Sequence, residues 1–450
     1  MELDLLLACT TGVVIAALVA SQLLRKGFDP FAPVWLFLAG YTQVYVVQAI
    51  SYREYALRVR GQELVTQANF RALWALVWFL LVYYSGLGKR IAARLPKAPA
   101  YWSPGVITAV APFMFLWGLI CSGVALRTAT ADFTQEENLL RQFPILMLAA
   151  GVLLIVTGRQ PSYPRPFMTA AGVATVAAYV LIWMFNGRRS HAVIGVLTGT
   201  CAWYLPAWKR PSLPAIVGTG FACAMVVSLA LGWRGNAKYE LSPAGFVQYL
   251  GDFDPSTMLV NLNLKEKDEV EGRIEEQSSK ETEEYGGFLL MMHAVPELSE
   301  YDYGQSYLRL FSTYIPRLIW KDKPIFGREQ WAKAWVAGSE FNRDLNFTGP
   351  AIGVLGATQL NGGAVATVIV MAALALLLRV GYDYFRYYCD RPWAQFWWAM
   401  TYYVAWLMTV NDDPMVWFYY IYGHTTLPPV AALWIYHRLA GSSRPELAAT

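Results

Sequence analysis

Long apolar runs alternate with short polar loops along most of this chain, as in Gly105–Val124, Phe167–Phe185, Leu213–Gly232, Ala364–Leu378 and Trp393–Val410. A run of about 20 apolar residues is long enough to carry a helix across the hydrocarbon core of a bilayer. The pattern predicts about eleven crossings, near residues 5–24, 31–50, 70–86, 105–124, 143–157, 167–186, 191–207, 213–232, 362–380, 393–410 and 417–437. The expected fold class is therefore all-α, a polytopic membrane protein with one large outer helical segment.

That segment breaks the rhythm. About 130 residues, Trp233–Gly363, separate two predicted spans, too many for a plain connection. The expected organisation is an N-terminal bundle over 1–232 with about eight spans, a periplasmic segment over 233–363, and a C-terminal bundle over 364–450 with about three spans and a cytoplasmic tail. Within the outer segment, Lys265–Glu284 sets four basic residues against nine acidic ones, a net of −5, and reads as a solvated helix or mobile lid. Over 304–315, Leu308, Phe311 and Ile315 fall at helical spacing and predict an amphipathic helix on the membrane surface, with Arg309 on a more polar side. Pro316 ends it.

Composition fits that class, with 56% hydrophobic and 15% charged residues. The net charge of +4 comes mainly from one set of loops and gives orientation, with no case for nucleic acid. Those loops mix Lys with Arg: Arg25/Lys26, Lys89/Arg90/Arg94/Lys97, Arg159/Arg165, Lys209/Arg210, Arg379/Arg386/Arg391 and Arg438/Arg444. By the positive-inside bias they face the cytoplasm. The start, Met1–Asp4, is acidic and lacks the basic region of a cleaved signal, so the first span reads as retained, with an outward N-terminus. Four cysteines lie in predicted spans and Cys389 in a cytoplasmic loop, a distribution with neither a disulfide framework nor metal-ligand spacing.

The short loops on the opposite side carry Arg53, Arg58, Arg60, Arg71, Arg127, Arg141, Arg188 and Arg189, and no Lys. Charge needed only for solubility would use both residues. A planar fork that grips phosphate or carboxylate through two bonds is an arginine property. The expectation is an anionic, pyrophosphate-bearing substrate on the outer face.

The run Tyr301-Asp302-Tyr303-Gly304-Gln305-Ser306-Tyr307, continued by Ile315-Pro316-Arg317-Leu318-Ile319-Trp320-Lys321-Asp322-Lys323-Pro324, is similar to the "yGxsyl … iPRxiWpxKP" signature of oligosaccharide repeat-unit polymerases, the O-antigen polymerase (Wzy-type) family. Asn186-Gly187-Arg188-Arg189-Ser190 resembles a Gly/Arg-rich element of the same family, and Thr348–Gly363 resembles the stretch that leads into its next span. There the family's frequent Glu is absent, since Gly353-Val354-Leu355 holds no acid. The resemblance covers about half the chain, chiefly residues 167–380, and its Pro-Arg…Trp…Lys-Pro run is the most specific part.

The resemblance implies an architecture like that of the GT-C glycosyltransferases, which use lipid-phosphate sugars, in a bacterial inner membrane with the active site facing the periplasm. Polyprenyl-pyrophosphate-linked oligosaccharide would be both donor and acceptor, with membrane lipids and a chain-length regulator as further partners, and no cofactor or metal. Charge develops on the lipid pyrophosphate as the glycosidic bond breaks, and fixed guanidinium groups stabilise it. The attacking hydroxyl needs a proton acceptor, His or carboxylate.

On that basis Arg188, Arg317 and His293 are the catalytic candidates, with Arg189, Arg309, Tyr307, Lys323, Arg328 and His424 as substrate-binding candidates. Each has an ordinary structural alternative. Arg188 and Arg189 could stop a helix at the headgroups by snorkelling, Arg317 could be an interfacial anchor, and His293 a packing residue. A ligase that moves finished glycan onto another acceptor would use the same kind of site. A transporter or flippase for lipid-linked sugars is the reading from another class; it predicts charged or broken helices at mid-membrane depth.

Overall fold

The computed structural model describes residues 2–24, 28–100, 102–127, 140, 143–207, 210–234, 238–240, 242–254, 284–308, 315, 319–322, 324, 327–328, 332, 352–410, 429–431 and 433–435. Among them there are helices and turns and no strands. Among the described residues seven helices are long and apolar enough to cross a membrane, so the protein is a multi-pass helical membrane protein. Large apolar side chains stay exposed along these helices, among them Leu6 and Val13, Phe113 and Ile120, Phe221, and Val365 and Ile369. That is the surface a lipid solvent requires.

The helices gather into two compact units. The first joins residues 1–96 with 270–387 and 403–419. In it α1 is Leu3–Leu23 and α2 is Val34–Thr42, which continues through a π-helical turn, Gln43–Gln48, to Ser51. The short α3 (Arg53–Arg60) leads through Gly61 into α4 (Gln62–Tyr84), and α5 (Leu87–Ala92) follows. The unit takes its remaining helices from later in the chain.

The second unit holds residues 97–269, 388–402 and 420–450. Its helices are α6 (Pro104–Arg127), α7 (Ile145–Gly158), α8 (Pro166–Phe185), α9 (Arg189–Tyr204), α10 (Leu213–Arg234) and α11 (Pro243–Gly251). The first unit then resumes with α12 (Glu284–Ala294) and α13 (Gly353–Tyr387). Helix α14 (Pro392–Thr401) belongs to the second unit and α15 (Val404–Val410) to the first.

In the second unit α7 is apolar all round, buried at every position but one, and packs against α6, α8, α9 and α14. Its approach to α8 depends on Gly151 and Gly172. A Cβ on Gly172 would stand 2.7 Å from the Gly151 carbonyl oxygen, so no larger residue fits this backbone crossing. In the first unit α4 packs on α1 and α13, and α12 lies against α13.

Helix α13 is two helices. Gly362 (φ 153, ψ 24) and Gly363 (φ 61, ψ −130) interrupt it. The preceding half-helix, Gly353–Asn361, is buried at all nine positions, and a long apolar helix follows the break. Thr367 Oγ1 donates to the Gly363 carbonyl at 2.9 Å and Asp302 N donates to the Leu360 carbonyl at 2.8 Å, satisfying groups that the break releases. At the other end of the half-helix, Leu355 N donates to Tyr45 Oη at 3.0 Å.

Three sequence expectations change. Helix α4 starts at Gln62, eight residues before the predicted span, because Glu63, Gln67 and Asn69 lie on a continuous helix instead of in a loop. Arg71, at the very edge of the predicted span, therefore sits ten residues inside a spanning helix. Glu284 is no part of a solvated lid: it is 8% exposed, opens α12, and accepts from Gln48 Nε2 at 2.6 Å. The described part of the expected helix 304–315 is a 3-10 turn, Gln305–Leu308; residues 309–314 and the rest of the charged stretch, 265–283, lie outside the described residues.

Candidate functional site

Arg71 stands ten residues into α4, half-buried. Its Nη1 donates to Gln359 Oε1 of the buried half-helix, and Gln359 Nε2 donates to the Val295 carbonyl oxygen just beyond α12. Among the described residues no carboxylate pairs with Arg71. A cation within a spanning helix and without a counter-charge is costly unless it faces a polar cavity or ligand. The helix break lies beside it. A Cβ built on Gly363 would stand 2.9 Å from the Tyr301 hydroxyl and 3.5 Å from Gln359 Oε1. Tyr301 is also within electrostatic range of Arg71. Asn361, 6% exposed, donates to the Ala357 carbonyl at 2.9 Å, while its Oδ1 is buried with no hydrogen-bond partner among the described residues.

The neighbouring loop is held by Asp302, which is 2% exposed. Its carboxylate accepts from Ser306 N at 2.9 Å, from Ser306 Oγ, and from Arg328 N at 3.2 Å. This one side chain ties the turn carrying Tyr307 to Arg328. The Arg328 side chain is exposed and donates through Nη1 to Ser299 Oγ at 3.0 Å.

A second polar layer supports the first. Asp4, fully buried in the first turn of α1, accepts from Arg53 Nε at 2.6 Å and from Gln62 Nε2 at 2.8 Å. Asn69 Nδ2 donates to the Asp4 carbonyl at 3.0 Å, and Tyr285 Oη donates to Asn69 Oδ1 at 2.6 Å. Burial, reinforced by the Asp4 charge, pushes the Tyr285 phenol well above its ordinary range despite the Asn69 bond, so it remains a neutral donor.

Depth within the unit follows from these contacts. Asp4 is the second residue of the 21-residue α1, and Arg71 lies two residues beyond Asn69, about 3 Å further along α4. At the far end of α13, Arg379 pairs with Asp383 at 2.8 Å and Arg386 with Asp29 at 2.9 Å. Sixteen residues separate Gly363 from Arg379, about 24 Å of helix and most of a hydrocarbon core. The break in α13 therefore lies well away from that charged end, while Arg71 is the tenth of the 23 residues of α4.

Of the residues expected from sequence, His293, Tyr307 and Arg328 belong to this unit. His293 is exposed in the last turn of α12, with no hydrogen-bond partner among the described residues. Tyr307 is half-buried. Arg188 and Arg189 belong to the second unit, where Arg188 caps α9 after Gly187 (φ 67). The Arg188 guanidinium carbon stands 5.6 Å from the Trp183 ring centroid, and the His191 ring lies 4.4 Å from the same indole. Arg309, Arg317, Lys323 and His424 lie outside the described residues. Gln359 and Asp302 are not among the residues expected from sequence, and Arg71 is grouped there with the outer loops. The available signal was polar residues, Gln359 and Asn361, recurring in an otherwise apolar run.

No protein-family model, no curated protein and no solved structure matches this chain. Fold and site together define its class, a multi-pass helical membrane protein with a buried polar site within one unit.

Proposed function

We propose that this chain is a membrane glycosyltransferase that polymerises polyprenyl-pyrophosphate-linked oligosaccharide repeat units into a surface polysaccharide, O-antigen or exopolysaccharide. The observation that carries the reading is Arg71, a guanidinium held inside a spanning helix by a neutral amide and left without a carboxylate among the described residues. An anionic ligand with an apolar tail suits such a group: pyrophosphate supplies the counter-charge and the prenyl chain stays in lipid. The lysine-free short loops rich in arginine and the resemblance of residues 301–324 to repeat-unit polymerases support the same reading.

In this reaction the acceptor hydroxyl oxygen bonds to the anomeric carbon of the donor glycan. The bond from that carbon to the pyrophosphate oxygen breaks, and its electron pair leaves with the lipid pyrophosphate. The hydroxyl proton passes to a base, for which His293 is the candidate. Arg71 stabilises the departing charge, and Arg317 and Arg188 keep the anion-binding roles assigned from sequence. Arg189, Arg309, Tyr307, Lys323, Arg328 and His424 complete the substrate-binding candidates. The proposal includes about eleven crossings in a GT-C-like arrangement, an inner-membrane location and a site facing the periplasm.

The broken helix α13 favours a second reading, a transporter of lipid-linked sugars, because such proteins bind substrate at interrupted helices. Those sites lie at the midplane, whereas Gly363 stands about 24 Å of helix from the polar far end, which favours the transferase. Purified protein in liposomes, given lipid-linked repeat unit on the site-bearing side, is expected to produce a ladder of longer glycans. Transfer of the unit across the bilayer without any ladder would replace the proposal with the transport reading.

A further inference from the structure

Tyr303 is the only non-glycine residue with a positive φ among the described residues, at 47°. Gly304 follows at φ 83°, and Gln305 N donates to the Asp302 carbonyl at 2.9 Å. Tyr303 and Gly304 are thus the central pair of a tight turn in its mirror-image form. Asn, Asp or Gly is favoured at the first of these positions, because a Cβ with a bulky ring is strained there. The strained residue is also displayed: Tyr303 is 75% exposed. Looseness does not account for that exposure, because its neighbour Asp302 is buried and bonded on every side. The Tyr303 ring meets Tyr301 edge to face, with centroids 5.9 Å apart, and the Tyr301 hydroxyl lies over Gly363 close to Gln359, the amide that Arg71 bonds.

A strained residue kept at a site points to use rather than stability. An exposed aromatic face offers a sugar ring an apolar platform, and the phenol offers its hydroxyls a polar edge. We infer that Tyr303, with Tyr301 at its edge, is the platform on which a saccharide unit of the lipid-linked substrate stacks while its pyrophosphate is held at Arg71. This rests on the glycosyltransferase reading and adds to it the residue that grips the sugar. The lipid interface is the rival use of an exposed tyrosine, and in that role losing the ring would leave saccharide affinity unchanged.

The test uses the full-length protein in nanodiscs and two probes: farnesyl pyrophosphate, which has no sugar, and the lipid-linked oligosaccharide fraction extracted from the producing cells. Three variants are compared with wild type, Tyr303→Asn, Tyr303→Leu and Tyr303→Trp. Asn is expected to raise the melting temperature by relieving the turn, and to weaken binding of the lipid-linked oligosaccharide roughly five- to tenfold. Farnesyl pyrophosphate binding should not change. Leu should lose as much saccharide affinity as Asn, while Trp retains it. Wild-type affinity in Tyr303→Leu would reassign the residue to the lipid interface and overturn the inference. Equal loss of both probes, or of neither, in Tyr303→Asn would also overturn it. Failure of the wild-type protein to bind either probe would instead remove the pyrophosphate reading beneath it.

Discussion

Arg71 and Gln359 meet through a hydrogen bond from Nη1 to Oε1, although 288 positions separate them in the chain. The bond aims a guanidinium at the break in α13 without neutralising it. If the planar fork is what matters, Arg71→Lys should be almost as damaging as Arg71→Ala. Either change is expected to slow polymer formation about 10²–10³-fold, the usual effect of losing one charge-assisted contact that strengthens in the transition state. Glycan chain length in cells, with membrane protein quantified in parallel, checks this. Full-length polymer from the Lys variant would show that charge alone suffices.

Gln359→Glu changes one atom type and gives Arg71 a carboxylate at a distance where it already bonds. The new ion pair should occupy the guanidinium and exclude an anionic ligand. Protein level should match wild type while farnesyl pyrophosphate binding falls at least tenfold, as calorimetry on the purified protein would read. Unchanged binding would remove Arg71 from the ligand site.

Gly363→Ala places a methyl group against the Tyr301 hydroxyl at a residue whose φ is +61°. Both the clash and the backbone conformation oppose it, and the expected loss is about 1–3 kcal/mol. A thermal melt of the detergent-solubilised protein measures the shift. A methyl group on the exposed helical Gly218, where nothing lies within 4 Å, serves as the control that should not lower the melt.

Because arginines are assigned the pyrophosphate, polymerisation of purified lipid-linked repeat unit should continue in EDTA. Loss in EDTA with recovery in magnesium or manganese would give that task to a metal.

Orientation has its own check. Glu300 and Leu95 are both exposed, so a cysteine at either position is open to a membrane-impermeant maleimide. In intact spheroplasts Glu300→Cys should label at once, and Leu95→Cys only after the membrane is opened. The reverse pattern would place the Arg71 site on the cytoplasmic side, away from a periplasmic substrate.

The sequence by itself determined that the chain crosses a membrane as helices. Runs such as Leu213–Gly232 hold too much apolar length for any other solvent, and burial in lipid is a property of each segment alone. It also showed where arginine without lysine collects, which carried the first chemical reading. Two things were decided only by the tertiary structure. Hydropathy says whether a helix lies in lipid but not which helices touch, so the union of residues 1–96 with 270–387 and 403–419 could not be read from it. The site was hidden for the same reason. Arg71 reads as a loop cation until Asn69 is found bonded to the start of α1, and Gln359 and Gly363 read as a lead-in to a span until they fold back against it. Polar partners in an apolar bundle are chosen by geometry between segments, and the sequence of neither segment contains that geometry.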